Sequence, residues 1–113
     1  MSNQIETLEL TKEQAQHAIK LREHAKKLLK NRDFKAVFED EYFDAYIKNT
    51  ALLLSEVKQD SPKMYEDLVD ELEAVGRVRA FIQGIFQKAN MAEKSIEDAD
   101  AQLAELRAEG VDE

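Results

Sequence analysis

The chain has 113 residues with one proline, three glycines and no cysteine, and its formal net charge is −8. So few turn-forming residues argue against a β-sandwich or barrel, and the absence of cysteine excludes disulfides and thiolate metal sites. The N-terminus lacks an apolar signal segment, and the longest apolar run, residues 51–54, is too short to cross a bilayer. We therefore expect an all-α protein that is neither secreted nor membrane-spanning, and that forms no disulfide.

The first ten residues are polar apart from Ile5, Leu8 and Leu10, which predicts an N-terminal arm over 1–10. Thr11-Lys-Glu-Gln14 matches a capping box, with threonine at the cap and glutamine three residues later. Apolar residues at steps of three and four then predict a first helix over 12–31. We expect residues 11–113 to form a single helical domain.

The second helix is predicted to begin at Phe34, after Asp33 as a cap residue. The consecutive acids of residues 39–41 indicate a turn or kink, because they interrupt the apolar face. Helix is expected again from there to about Lys58. Residues 59–61 then form the predicted loop.

The third helix is predicted over 62–109, with Ser61-Pro62 at its start and Gly110 just after its end. Such a helix would be about 72 Å long, whereas a compact domain of this chain length has a radius of gyration near ~13 Å. The helix must therefore bend back or bury its apolar stripe on a partner. Apolar residues follow a coiled-coil seam that Arg79, Glu93 and Asp100 interrupt.

These elements predict a three-helix arrangement in which a helical hairpin packs on the middle of the long C-terminal helix. The tail beyond Ile96 is then left without cover from the chain itself, so we expect a partner there. Gly84 lies between Phe81 and Ile85, where we expect a glycine to permit close approach of another helix.

Charge alternates along the chain. Residues 1–38 carry a net charge of +3, residues 39–76 of −8, residues 77–91 of +3, and residues 92–113 of −6. Blocks of opposite sign can pair within one molecule or between neighbouring molecules.

No constellation of residues indicates catalysis, a metal ion or a cofactor. His17 and His24 are seven residues apart, whereas metal-binding pairs on a helix are usually three or four apart. The acidic clusters around residues 39–44 and 66–73 lack calcium-loop spacing, and neither histidine completes a Glu-x-x-His motif. We expect a protein that is not an enzyme and that binds no metal or cofactor.

Two surfaces are candidates for binding. The apolar and cationic middle of the long helix, with the thinner stripe beyond it, is the predicted protein-interaction surface: Arg77, Arg79, Phe81, Ile82, Ile85, Phe86, Lys88, Ile96, Leu103 and Leu106. Arg79 falls on the seam, and a half-buried arginine needs a carboxylate from this chain or from a partner. A basic face is the candidate anion or phosphate contact: Lys20, Lys26, Lys27, Lys30 and Arg32.

Three segments resemble a group of small acidic helical proteins of tailed bacteriophages: Glu41-Tyr42-Phe43, residues 72–82 and residues 90–94. That group shares a Tyr-Phe pair in its middle helix, and a long C-terminal helix with an Arg-x-Phe-like segment followed by Met-Ala-Glu. The resemblance covers about residues 25–105. It implies a phage product that acts in the virion or in its assembly, and it supplies no catalytic residues.

The resulting hypothesis is a non-enzymatic structural or assembly protein that acts through helix–helix contacts, as a homo-oligomer or on a larger particle. It would reside in the host cytoplasm or the virion. One alternative is an acidic phage protein that inhibits a host enzyme or nucleic-acid-binding protein by imitating the charge of DNA. A second, less favoured because the chain is acidic, is a regulator that binds nucleic acid through residues 20–35.

Overall fold

The computed structural model describes residues 2–57 and 60–110, and within them the chain is helical, with no strand. The elements in order are α1 (Ser2–Lys30), α2 (Arg32–Phe34), a π-helix (Lys35–Ala45), α3 (Tyr46–Val57) and α4 (Pro62–Ala108). Because α2, the π-helix and α3 follow one another without a break, we call them together the middle helix. The predicted all-α class is confirmed, with earlier helices packed on a long C-terminal one. The predicted helix end at Lys58 and the loop residue Gln59 lie outside the described residues.

The first helix begins at Ser2, so the arm predicted for residues 1–10 is wrong. This segment contains no glycine or proline, and Ile5 is buried. Thr11 is not a cap residue, since its hydroxyl donates a hydrogen bond to the Thr7 carbonyl one turn earlier, at 3.0 Å. A mostly polar segment can form a helix when its few apolar side chains pack against another part of the protein. Such packing is a tertiary contact, which the local sequence does not reveal.

Asn31 separates α1 from the middle helix. Its backbone is extended, with φ −69° and ψ 127°, and its side-chain oxygen accepts a hydrogen bond from the Phe34 backbone N–H at 2.9 Å. Asn31 is therefore the N-cap, and not Asp33 as predicted, because an Asn oxygen at this position satisfies one of the unpaired N–H groups of the first turn.

The acidic run at residues 39–41 neither breaks nor turns the chain. It lies inside the π-helix, where the Tyr46 N–H bonds to the Glu41 carbonyl five residues earlier. Phe34, Phe38, Tyr42 and Tyr46 recur every four residues and form a ladder of neighbouring rings along this stretch, with centroid separations of 4.7, 5.9 and 5.8 Å. Each ring pair adds about 0.5–1.5 kcal/mol beyond area burial. The ladder thus favours continued helix through the acids.

The predicted boundaries of the long helix agree with the structure. Pro62 is the first residue of α4, and Gly110 follows its end with a positive φ of 87°, a conformation that glycine adopts without strain. The Gly110 N–H bonds to the Arg107 carbonyl at 3.1 Å. Inside α4, a Cβ built on Gly84 meets nothing within 4 Å, so the expected close approach at Gly84 is wrong.

The chain divides into two compact units that share α4. Unit 1 comprises Met1–Ala25 and Gly84–Glu113, and unit 2 comprises Lys26–Gln83. In unit 1 the helix packed on α4 is α1, and in unit 2 it is the middle helix. The single domain over residues 11–113 stays a prediction.

Unit 1 is an antiparallel pair of helices with small residues at the contact. Residue numbers rise on α1 while they fall on α4, as the pairs Glu9–Arg107, Lys12–Asp100 and Arg22–Glu93 show. Most of the buried side chains are alanines: Ala15, Ala25, Ala89, Ala92 and Ala99, together with Ile5 and Leu103. Small residues let helix axes approach near the lower end of the usual 8–10 Å.

This pairing corrects the prediction for the tail of the long helix. We expected residues beyond Ile96 to lack cover from the chain, but Ala99 and Leu103 are buried within unit 1. The two errors have one cause: the segment predicted as an arm is the start of α1, and it reaches the last turns of α4.

In unit 2 the middle helix packs on α4 with few side chains fully enclosed. Val75 and Thr50 are buried there, and the aromatic ladder is half-buried except at Tyr46, which is exposed. The Tyr46 hydroxyl donates a hydrogen bond to the Glu71 carboxylate, which ties the two helices together. Much of the apolar surface of this unit therefore remains in contact with water.

Candidate protein interface

Two of the three charged residues that interrupt the predicted seam, Glu93 and Asp100, pair across helices in unit 1. Arg22 donates two hydrogen bonds to the Glu93 carboxylate in a bidentate arrangement, each with a nitrogen–oxygen distance of 3.0 Å. It also donates a hydrogen bond to the Asn90 side-chain oxygen at 2.9 Å. Lys12 meets Asp100 at 2.6 Å. The basic first block thus pairs with the acidic last block inside one molecule.

Arg22 is the residue in this arrangement that sequence reasoning placed elsewhere. Arg22 lies in the sequence among the lysines of the basic face, whereas only 11% of its side chain is exposed. The hydrogen bonds to Glu93 raise the pKa of Arg22, while burial acts in the opposite direction. The signal that could have located its partner is Glu93 itself, a charge at a position where the seam requires an apolar residue.

The candidate anion-binding residues do lie on the surface. In unit 1, Lys20 is exposed, and in unit 2 the same holds for Lys26, Lys27, Lys30 and Arg32. Exposed lysines of this kind are typical of a solvated helix face as well as of a phosphate contact. Their placement leaves the nucleic-acid alternative a prediction.

The predicted interface residues of unit 2 have three different environments. Arg77 pairs with Glu73 one turn away, at 3.9 Å. Ile82 is half-buried. Phe81 is 69% exposed, and Val78, one turn before it, is also exposed. Val78 and Phe81 therefore form an apolar face of α4 that unit 2 does not cover.

Further large apolar side chains are exposed on the middle helix and on α4 of unit 2. They are Val37, Leu52, Leu53 and Met64. Single exposed apolar residues are ordinary on soluble proteins, but several large ones on two packed helices are typical of a surface that binds another protein.

Arg79 occupies a distinct site within unit 2. Its guanidinium carbon lies 5.6 Å from the centroid of the Phe43 ring, a cation–π geometry. No carboxylate among residues 2–57 and 60–110 comes within 4.0 Å of this guanidinium, so the internal ion pair that we considered for Arg79 is not formed. The residue lines a groove of about 300 Å³.

The predicted interface residues of unit 1 are mostly internal. Leu103 is buried, and four others are half-buried: Ile85, Phe86, Ile96 and Leu106. Lys88 is exposed. Much of this stripe therefore packs within unit 1, because α1 covers it.

Unit 1 also contains an open groove of about 660 Å³ between the first turns of α1 and the last turns of α4. Leu8 and Leu106 are its apolar lining residues. The polar lining residues are amides, a hydroxyl and two carboxylates: Asn3, Gln4, Thr7, Gln102, Glu105 and Glu109.

Across the part of the chain that the structure describes, no group of three or more His, Cys, Asp or Glu side chains is placed to hold a metal ion. No helix over that same part combines the length and apolar character that crossing a membrane requires. Comparison of the chain with protein-family models, with curated proteins and with solved structures found no match.

Proposed function

We propose that this protein is a non-enzymatic assembly component that binds other proteins through helix–helix contacts. One observation carries the proposal: the helix contact of unit 1 buries mostly small side chains, while large apolar side chains stay exposed in both units. Ala89 is 0% exposed, whereas Phe81 is 69% and Met91 is 71% exposed. Apolar area left in water stabilises association when a partner covers it.

The partner surface that we propose is the face of unit 2 that contains Val78 and Phe81. Phe81 is 69% exposed. Covering its exposed area, roughly 120 Å², would contribute about 3 kcal/mol at roughly 25 cal/mol per Å². That corresponds to about a 150-fold change in Kd. The resemblance to small acidic phage proteins extends the proposal to a virion or morphogenesis component.

Sedimentation velocity over a range of concentrations tests the proposal. We expect self-association of the wild-type chain, a weaker association for Phe81→Ser, and no change for Ala80→Ser. Ala80 is an exposed neighbour outside the Val78–Phe81 face, so it serves as the matched control. A wild-type chain that remains a monomer at all concentrations, and that is absent by mass spectrometry from purified particles of the phage encoding it, would refute the proposal.

The alternative of charge mimicry stays a prediction: three carboxylates of α4 have partners within unit 2, and the side chains of Asp67 and Glu73 are still 61% exposed. Asp67 pairs with Lys63 at 3.5 Å, Glu73 pairs with Arg77, and Glu71 accepts the Tyr46 hydroxyl. A DNA-like surface requires carboxylates that remain available to a partner. Charge reversal at Glu66 and Asp70 separates the alternatives, since it would abolish mimicry and leave helix–helix association intact.

A further inference from the structure

The Arg79 groove is an open groove in unit 2, lined by one cation, two other polar side chains and three apolar side chains. Its lining residues come from the end of α1, the π-helix and α4: Leu29, Glu39, Phe43, Arg79, Ile82 and Gln83. The apolar members form walls, and the Arg79 guanidinium and the Gln83 amide supply hydrogen-bond donors. A cleft with apolar walls and a few converging polar groups has the composition of a ligand site.

The Arg79 guanidinium carbon lies 5.6 Å from the centroid of the Phe43 ring, within the range of a cation–π contact. A guanidinium carries its N–H groups in one plane and can donate them in pairs to a carboxylate. Since no described carboxylate lies within 4.0 Å of the Arg79 guanidinium, its N–H groups are available to a carboxylate of a partner. Its neighbour Arg77, by contrast, already has Glu73 as a partner.

We propose that the Arg79 groove binds a glutamate side chain that a partner helix presents. The carboxylate receives hydrogen bonds from Arg79 and Gln83, and its short aliphatic stem packs on Phe43 and Ile82. This inference rests on the proposed function, because a partner protein carries the glutamate. Glu39, which lines the same groove, repels anions and so favours a single carboxylate over a phosphate with greater charge.

The test uses butyrate, which has the carboxylate and stem of a glutamate side chain, and its neutral analogue butyramide. In ¹H–¹⁵N NMR titrations of the full chain, we expect saturable shifts at the Arg79 Nε–H and the Gln83 side-chain amide with butyrate and not with butyramide. Arg79→Gln should weaken butyrate binding at least 10-fold. Arg77→Gln, which removes the same charge two residues away, should change it less than 2-fold.

Glu39→Gln should change the butyrate affinity in the direction opposite to Arg79→Gln. Because it removes a like charge from the groove, butyrate binding should become about 3-fold tighter, and a fold defect cannot mimic this gain. Equal shifts with butyramide, an equal loss in Arg77→Gln, or the absence of saturable shifts at Arg79 would overturn the proposal. The titration does not depend on self-association, so its failure is distinguishable from a failure of the sedimentation test with Phe81→Ser.

Discussion

Replacing Ala89 with leucine tests whether close packing of small residues holds unit 1 together. The Ala89 side chain is 0% exposed, so the three added carbon atoms have no free space and must push α1 and α4 apart. Overpacking of a well-packed site costs about 1–3 kcal/mol. For a chain of this size, roughly 4 °C of Tm corresponds to each kcal/mol, so Tm should fall by about 4–12 °C.

The matched control is Ala101→Leu, which makes the same change at an exposed alanine on the same helix. Both variants replace alanine with leucine inside α4, so they change the intrinsic helix propensity by the same amount. An exposed substitution of this kind usually alters the free energy of unfolding by less than about 0.5 kcal/mol. Urea unfolding followed by circular dichroism at 222 nm measures both free energies of unfolding. If Ala89→Leu is as stable as Ala101→Leu, the helices of unit 1 do not depend on close approach at Ala89.

Three further predictions concern single residues. Gly84→Ala should raise the free energy of unfolding by about 0.5–1 kcal/mol, because its new methyl group meets nothing within 4 Å; a lower value in urea melts would contradict this. Arg22→Gln should lower Tm more than the exposed Lys20→Gln does, and equal effects would show that the Arg22–Glu93 contact contributes little. The hydrogen bond to Glu71 raises the pKa of Tyr46 above its ordinary 10.0. The stability that this hydrogen bond contributes is therefore fully present below about pH 10, and it is lost as the pH rises through the raised pKa of the folded protein. Tyr46→Phe should therefore flatten the decline of stability above about pH 10, measured by urea melts at each pH, and an unchanged slope would contradict the assignment.

Much of the helical organisation was predictable because it depends on local signals. Pro62 and Gly110 mark the ends of α4 through backbone conformations that neighbouring residues do not alter. The scarcity of glycine and proline likewise indicated the all-α class. Asn31 could have been found in the same way, since asparagine is among the strongest N-cap residues.

The candidate interface was predictable only in part. Phe81 was placed on the interaction surface and is exposed, whereas Leu103, predicted for the same surface, is buried against α1. Both residues belong to one apolar stripe, and nothing in their local sequence distinguishes them. The outcome differs because α1 begins at Ser2 and therefore extends over the tail of α4.

The sequence by itself determined that this chain is helical, where its long helix begins and ends, and that its first and last charge blocks are complementary. Only the tertiary structure decided which charges meet and which apolar residues stay in water. Arg22 pairs with Glu93, while Arg79 lies near the Phe43 ring without a carboxylate within 4.0 Å among the described residues. The physical reason is that helix ends follow from the preferences of a few adjacent residues, whereas burial and ion pairing depend on which helices meet and on their register.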